Sequence, residues 1–216
     1  MIDFLEYYKI KGHVFGECMS KADTDLMYIN IPKNASSWTK PNLKDWGWEN
    51  YNYHTDNLYH KHAMVVLRDP VERWLSGIAE YMYLYHKNLD TAHFSNCFFD
   101  LVFDRIAFDD HTEQQVLFLE GLDLNNCTFF WCGTQYRDLF GQFLNSHGMP
   151  NRYFNYDYQH VTENDPIRSK FKKTFKQVLN KNSKYIINLD NFFTKDYKLI
   201  RSIKFYDTFN FNNKSR

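Results

Sequence analysis

Two kinds of apolar run organise this chain. Short continuous runs occur at Leu26–Ile31 (LMYINI), Ala63–Leu67 (AMVVL) and Cys127–Cys132 (CTFFWC). Runs of that length with β-branched and aromatic members predict buried strands. Elsewhere the spacing changes to three and four. Val71, Trp74, Leu75, Ile78 and Met82 define the apolar face of a predicted helix, and Arg73, Ser76, Gly77 and Glu80 gather on another face. Its start is written in capping chemistry: Asp69 at the N-cap, Pro70 at the first helical position and Glu72 at the third. HTEQQVLFLEG predicts a short helix ended by Gly121, and QYRDLFGQFLNSHG a helix stopped by Gly148. IRSKFKKTFKQVLNK and TKDYKLIRSIKFY predict two more by period. The stretch through Asp25 is polar and ambiguous, and residues 41–62 have no clean period and read as loop. Strands alternating with helices predict an α/β domain with a central, mainly parallel sheet flanked by helices. Ligands of such sheets bind outside the carboxyl ends of the strands. The loops after Ile31 and Leu67 lie at two such ends.

Composition narrows the picture. A length of 216 residues fits one substantial domain, 1–216, with no linker or repeat to divide it. Lys+Arg and Asp+Glu both total 26, so no overall basic field exists to attract nucleic acid, and any anion site must be local. The 19% aromatic share is read as core rather than as a stacking surface for bases. No apolar stretch approaches the ~20 residues of a membrane span. MIDFLEYYKI is too acidic and too short in apolar run for a signal peptide. Four cysteines without a CxxC pair or a dense secreted framework predict free thiols in a reducing, cytoplasmic compartment. Cys127, Cys132 and His111 match no standard zinc spacing, so no metal is expected.

The loop after the first strand is Pro32-Lys33-Asn34-Ala35-Ser36-Ser37. Small side chains let successive backbone N–H groups converge on a tetrahedral anion, and a following helix start adds a favourable dipole. Lys33 supplies a mobile charge and the serines supply hydroxyl donors. A Walker loop carries its lysine late, after glycines; here it comes first, so an ordinary ATP or GTP loop is not encoded. The second loop sets Arg68 at a strand tip and Ser76 eight residues later on the capped helix. An arginine beside a helical hydroxyl suits a phosphate. Arg73, one turn before Ser76, joins that site or pairs with Glu72, Glu80 or Asp69.

With both loops in view the chain resembles the sulfotransferases that use 3′-phosphoadenosine 5′-phosphosulfate (PAPS). Pro32 to Ser37 is similar to their 5′-phosphosulfate loop, with Ala35 where glycine is commoner. Arg68 and Ser76 match their 3′-phosphate pair. RDPVERWLSG looks especially like a segment of carbohydrate sulfotransferases and their bacterial and viral relatives. More faintly, DDHTEQQ resembles a His-x-x-x-Gln segment and FFTKDYKLI a closing helix of those relatives.

The resemblance implies a P-loop-NTPase-like three-layer fold. It implies an enzyme moving a sulfuryl group from PAPS to a hydroxyl or amine of a small molecule or carbohydrate, leaving adenosine 3′,5′-bisphosphate. It assigns cofactor binding to Pro32, Lys33, Asn34, Ala35, Ser36, Ser37, Arg68 and Ser76, with Arg73 a candidate, and catalysis to Lys33. Trp38 matches an adenine-stacking tryptophan of some relatives. Pro41 predicts a short or broken helix after the loop. His54 ranks first as general base, from the region between the loops that also holds His60 and His62. His111 ranks second, with Glu80 a carboxylate alternative. The aromatic stretches 41–62 and 151–160 are expected to line the acceptor pocket. The alternatives are a P-loop kinase, disfavoured by the missing Walker pattern, and a non-catalytic nucleotide- or glycan-binding module.

Overall fold

A computed structural model of the chain describes residues 15–149 and 164–207. The stretch 151–160, expected at the acceptor pocket, lies outside the described residues. In chain order the elements are β1 (Glu17–Ser20), β2 (Leu26–Ile29), α1 (Ser36–Asp45), β3 (Glu49–Asn52), β4 (His62–Leu67), α2 (Pro70–His86), α3 (Asn96–Arg105), β5 (Cys127–Trp131), α4 (Tyr136–Ser146), α5 (Pro166–Lys181), α6 (Ser183–Phe192) and α7 (Thr194–Ser202). They fall into two compact units: a sheet unit of residues 15–68, 118–149 and 200–207, and a helical unit of 69–117 and 164–199.

In the sheet unit the strand order is β3-β1-β2-β4-β5. β2, β4 and β5 run parallel, while β1 pairs antiparallel with both β2 and β3. The sheet is therefore mixed rather than mainly parallel. The predicted strands are its parallel half. The antiparallel half comes from short, partly polar segments, ECMS and ENYN, that carry no strand pattern of their own. Met19, Leu26, Tyr28, Met64, Val66 and Phe130 project from one face, as the two-residue period of strands requires. Trp38 and Leu43 of α1 and Tyr136, Phe140, Phe143 and Leu144 of α4 cover them. Each such large side chain contributes roughly 1.5–3 kcal/mol on burial. Of the short or broken helix expected, α1 is the short one: it runs unbroken through Pro41 and ends after ten residues, and the Asn42 side-chain amide donates to the Trp38 carbonyl at 2.8 Å and supports that turn.

The helical unit packs α2, α3, α5 and α6 round Trp74, Phe103, Phe171, Phe175, Tyr185 and Leu189. α2 begins where its capping chemistry predicts, with the Glu72 N–H donating to Asp69 Oδ1 at 2.9 Å. α3 ends abruptly. Ile106 has φ 63 and ψ −55, and the Ala107 N–H reaches back to the Arg105 carbonyl at 2.7 Å. That is the rare positive-φ γ-turn, strained for a β-branched residue. The Trp74 indole N–H donates to the Ile106 carbonyl at 2.9 Å and helps to hold it.

Candidate functional site: the carboxyl end of the parallel strands

The sheet unit gathers its chemistry at one end. After β2 the chain passes Asn30 to Pro32 and enters the loop with alternating backbone handedness: Lys33 has φ 67 and Ala35 φ 60. Alternation of this kind turns neighbouring N–H groups toward one side, the geometry of an anion nest. At Ala35 a Cβ sits in this positive-φ region at a cost of about 1–2 kcal/mol. Ala35 is also the N-cap of α1. No side chain caps that helix start and no acidic residue sits in its first turn. The Trp38 and Thr39 N–H groups both turn to the Ala35 carbonyl at 3.0 Å, so the amide donors ahead of them belong to the loop mouth.

Two side chains fasten the loop to β4 and its end. Asn34 is fully buried and its amide donates to the Val66 carbonyl at 2.8 Å. Arg68, one residue past β4 and half-buried, donates from Nη1 to the Lys33 carbonyl at 3.3 Å. The two loops singled out in the sequence thus meet. Beside them the Cys132 N–H donates to the Leu67 carbonyl at 2.7 Å, bringing the end of β5 to the same place. Burial raises the Cys132 thiol pKa while the Arg68 charge opposes the rise. Burial likewise pushes Cys18 and Cys127 up to about 12, which leaves them poor nucleophiles.

His54 belongs to this end too. Asn52, the last residue of β3, pairs with Glu17, and the Glu17 carbonyl accepts the Asn30 N–H at 3.0 Å. The turn after β3 therefore flanks the loop after β2. His54 is exposed; its Nδ1 lies 2.5 Å from the Tyr59 hydroxyl and its ring 4.2 Å from that of Tyr53. Gly16, with φ 101, makes room: a Cβ there would fall 2.4 Å from His54 Cδ2. Gly16 is a site-shaping residue that sequence reasoning missed, since a lone glycine in an ambiguous segment carries no signal. Glu17 was missed for the same reason. Its carboxylate takes the Asn30 amide and the Lys40 ammonium, each at 2.7 Å. His62 lies at the opposite end of β4, its ring nitrogens 3.1 Å from Asn126 Oδ1 and 2.8 Å from Thr128 Oγ1. His60 bonds the Asn57 carbonyl at 3.1 Å.

Other expected ligands have structural employment. Trp38 is 2% exposed, edge-on to Tyr136 and Phe140, with the Arg137 guanidinium 5.3 Å from its ring. A base cannot stack on so buried a ring, and the stacking role is corrected to core packing. In the helical unit Arg73 is fully buried and donates to the carbonyls of Asp110, at 2.9 Å, and Glu113. Burial pulls its pKa down to about 10 against the charges of Asp196, Asp110 and Asp109. Its guanidinium braces the loop after α3, and a ligand role does not fit that burial. Ser76 is buried, with its hydroxyl donating to the Glu72 carbonyl at 3.1 Å. Glu80 is taken by Arg168 at 3.0 Å.

His111 is the centre of that loop. Its Nδ1 lies 3.0 Å from Asp109 Oδ2 and 3.1 Å from Asp110 Oδ1. Burial pushes the imidazole pKa down, but hydrogen bonds and charge from the two aspartates outweigh it and raise the pKa to about 9. A histidine whose two aspartates favour its charged form suits a structural ion pair rather than a general base. These three side chains bring ligand atoms within 4.8 Å of one another, a metal-like grouping in which His111 Nδ1 already faces both carboxylates. The loop sits hard against α2: a Cβ on Gly77 would fall 2.1 Å from the His111 carbonyl oxygen.

Among the described residues no helix is long and apolar enough to cross a membrane. No family model matches the chain, and no curated protein or solved structure matches it either.

Proposed function

We propose that the chain is a PAPS-dependent sulfotransferase whose donor site lies at the carboxyl end of β2 and β4. The observation that carries this reading is the Arg68 contact to the Lys33 carbonyl, which joins the two anion-seeking loops at the start of an uncapped helix. The parallel β2–β4–β5 core with functional loops after two of its strands is also what a P-loop-like fold requires. PAPS, when bound, supplies the sulfuryl group and a bisphosphate leaving group. Lys33 neutralises charge developing on the leaving oxygen, and the N–H groups of residues 35–37 with the Ser36 and Ser37 hydroxyls steady the anion. Arg68 holds a phosphate, and that remote binding energy positions the reacting centre. His54, oriented by Tyr59, accepts the acceptor's proton. Trp38, Arg73 and His111 drop out of the donor-binding and catalytic set.

The test is sulfuryl transfer from labelled PAPS across a panel of sugars, phenols and amines. Transfer that falls about 100-fold or more in Lys33→Ala, with adenosine 3′,5′-bisphosphate still bound, supports the reading. Selective thermal stabilisation by ATP·Mg²⁺ and not by the bisphosphate overturns it. The internal use of Trp38 and Arg73 favours a second reading, a non-catalytic nucleotide-binding module; bisphosphate binding without transfer to any acceptor would select it.

A further inference from the structure

At the amino end of the parallel strands, away from Lys33 and Arg68, the sheet unit encloses a pocket of about 350 Å³. That is the lower range for small-molecule sites. Three turns build it. The β1–β2 turn contributes Lys21, Asp23 and Asp25, the end of α1 contributes Trp46 and Trp48, and the end of α4 contributes His147. All three turns are pinned. The buried Lys61 ammonium donates to the Lys21 carbonyl at 3.1 Å and the Thr24 carbonyl at 2.5 Å, and the Asp25 carbonyl accepts the His62 N–H at 2.7 Å. The Trp46 and Trp48 N–H groups both return to the Leu43 carbonyl at 3.0 Å, across Gly47 at φ 82. His147 Nδ1 lies 2.9 Å from the Phe143 carbonyl. The site is preformed.

Its chemistry is mixed in a particular way. The half-buried Trp46 indole offers an apolar face, and Trp48, 2% exposed, belongs to the core against which Trp46 packs. Asp23, Asp25 and the carbonyl ends of two helices accept hydrogen bonds. Lys21, which lies 2.9 Å from Asp23, donates. A purely apolar ligand leaves the carboxylates unused, and a cation meets the Lys21 ammonium. A pyranose ring has an apolar C–H face and a rim of hydroxyls that both donate and accept. We propose that this pocket binds a monosaccharide unit of a carbohydrate. The inference does not rest on the sulfotransferase reading, because the pocket shares no residue with the donor loops.

Saturation-transfer NMR with the methyl glycosides of glucose, galactose and N-acetylglucosamine tests it on the intact chain, alongside Trp46→Ala and Asp25→Asn. The expected result is millimolar binding of at least one glycoside, weakened about tenfold by losing the Trp46 face and less by Asp25→Asn. Should Trp46→Ala not fold, the exposed Asp25→Asn carries the test alone. No transfer from any of the three glycosides overturns the proposal. So does a signal that neither variant diminishes, or choline binding more tightly than every glycoside.

Discussion

Arg68 and Arg73 stand five positions apart on either side of the same helix cap, and the structure uses them in opposite ways. Arg68 ends a strand, stays half-buried and touches the backbone of a strained loop. Arg73 has no exposed surface, and its guanidinium fastens the Asp110 and Glu113 carbonyls. The same side chain is a half-exposed tie between two loops in one place and a buried brace in the other. What separates them is whether the chain folds its own acceptors over the charge.

That contrast makes predictions, beginning with the largest. Replacing Arg73 with Met removes the guanidinium from the Asp110 and Glu113 carbonyls and takes away a buried charge that attracts Asp196, and should cost about 3–5 kcal/mol in urea unfolding. Arg68→Ala should cost no more than about 1 kcal/mol. Comparable losses would erase the distinction.

The brace should also show in pH. The folded pKa of His111 is raised to about 9, above its unfolded value near 6.5. The stabilisation is therefore complete below about pH 6.5 and is lost as pH climbs through about 9, amounting to ~3 kcal/mol at most. Thermal midpoints should fall across that window in the parent chain and flatten in His111→Gln. An NMR titration placing the imidazole pKa below about 7 would contradict the ion-paired arrangement.

A smaller effect sharpens the other side. Ala35→Gly removes the Cβ penalty of a positive φ and adds chain entropy to the unfolded state, for a net gain of roughly 0.5–1 kcal/mol. Destabilisation on chemical denaturation would mean that the loop does not hold this conformation.

How legible these features are follows the range of the forces that make them. The α2 cap was readable because Asp69, Pro70 and Glu72 lie within four positions and act on each other. Ala35 drew notice only through the resemblance, as an alanine where glycine is commoner; its positive φ emerges from the structure. β1 and β3 were not readable. Each is four residues long and partly polar, and each is a strand only because a neighbour supplies hydrogen bonds. α3 and α6, over 96–105 and 183–192, went unnoticed, their apolar faces mattering only against α2 and α5. The fates of Trp38, Arg73 and His111 were out of reach for a related reason. Burial by residues tens of positions away turns a candidate ligand into a packing or bracing group, and no local pattern announces it.

The most direct measurement is calorimetric titration of adenosine 3′,5′-bisphosphate into the parent chain and Arg68→Ala. The account predicts binding to the parent, weakened at least about tenfold in the variant, as expected for loss of a charge-assisted phosphate contact. Absence of binding to the parent, or equal affinity in both, would contradict the claim that the loops after β2 and β4 form one anion site.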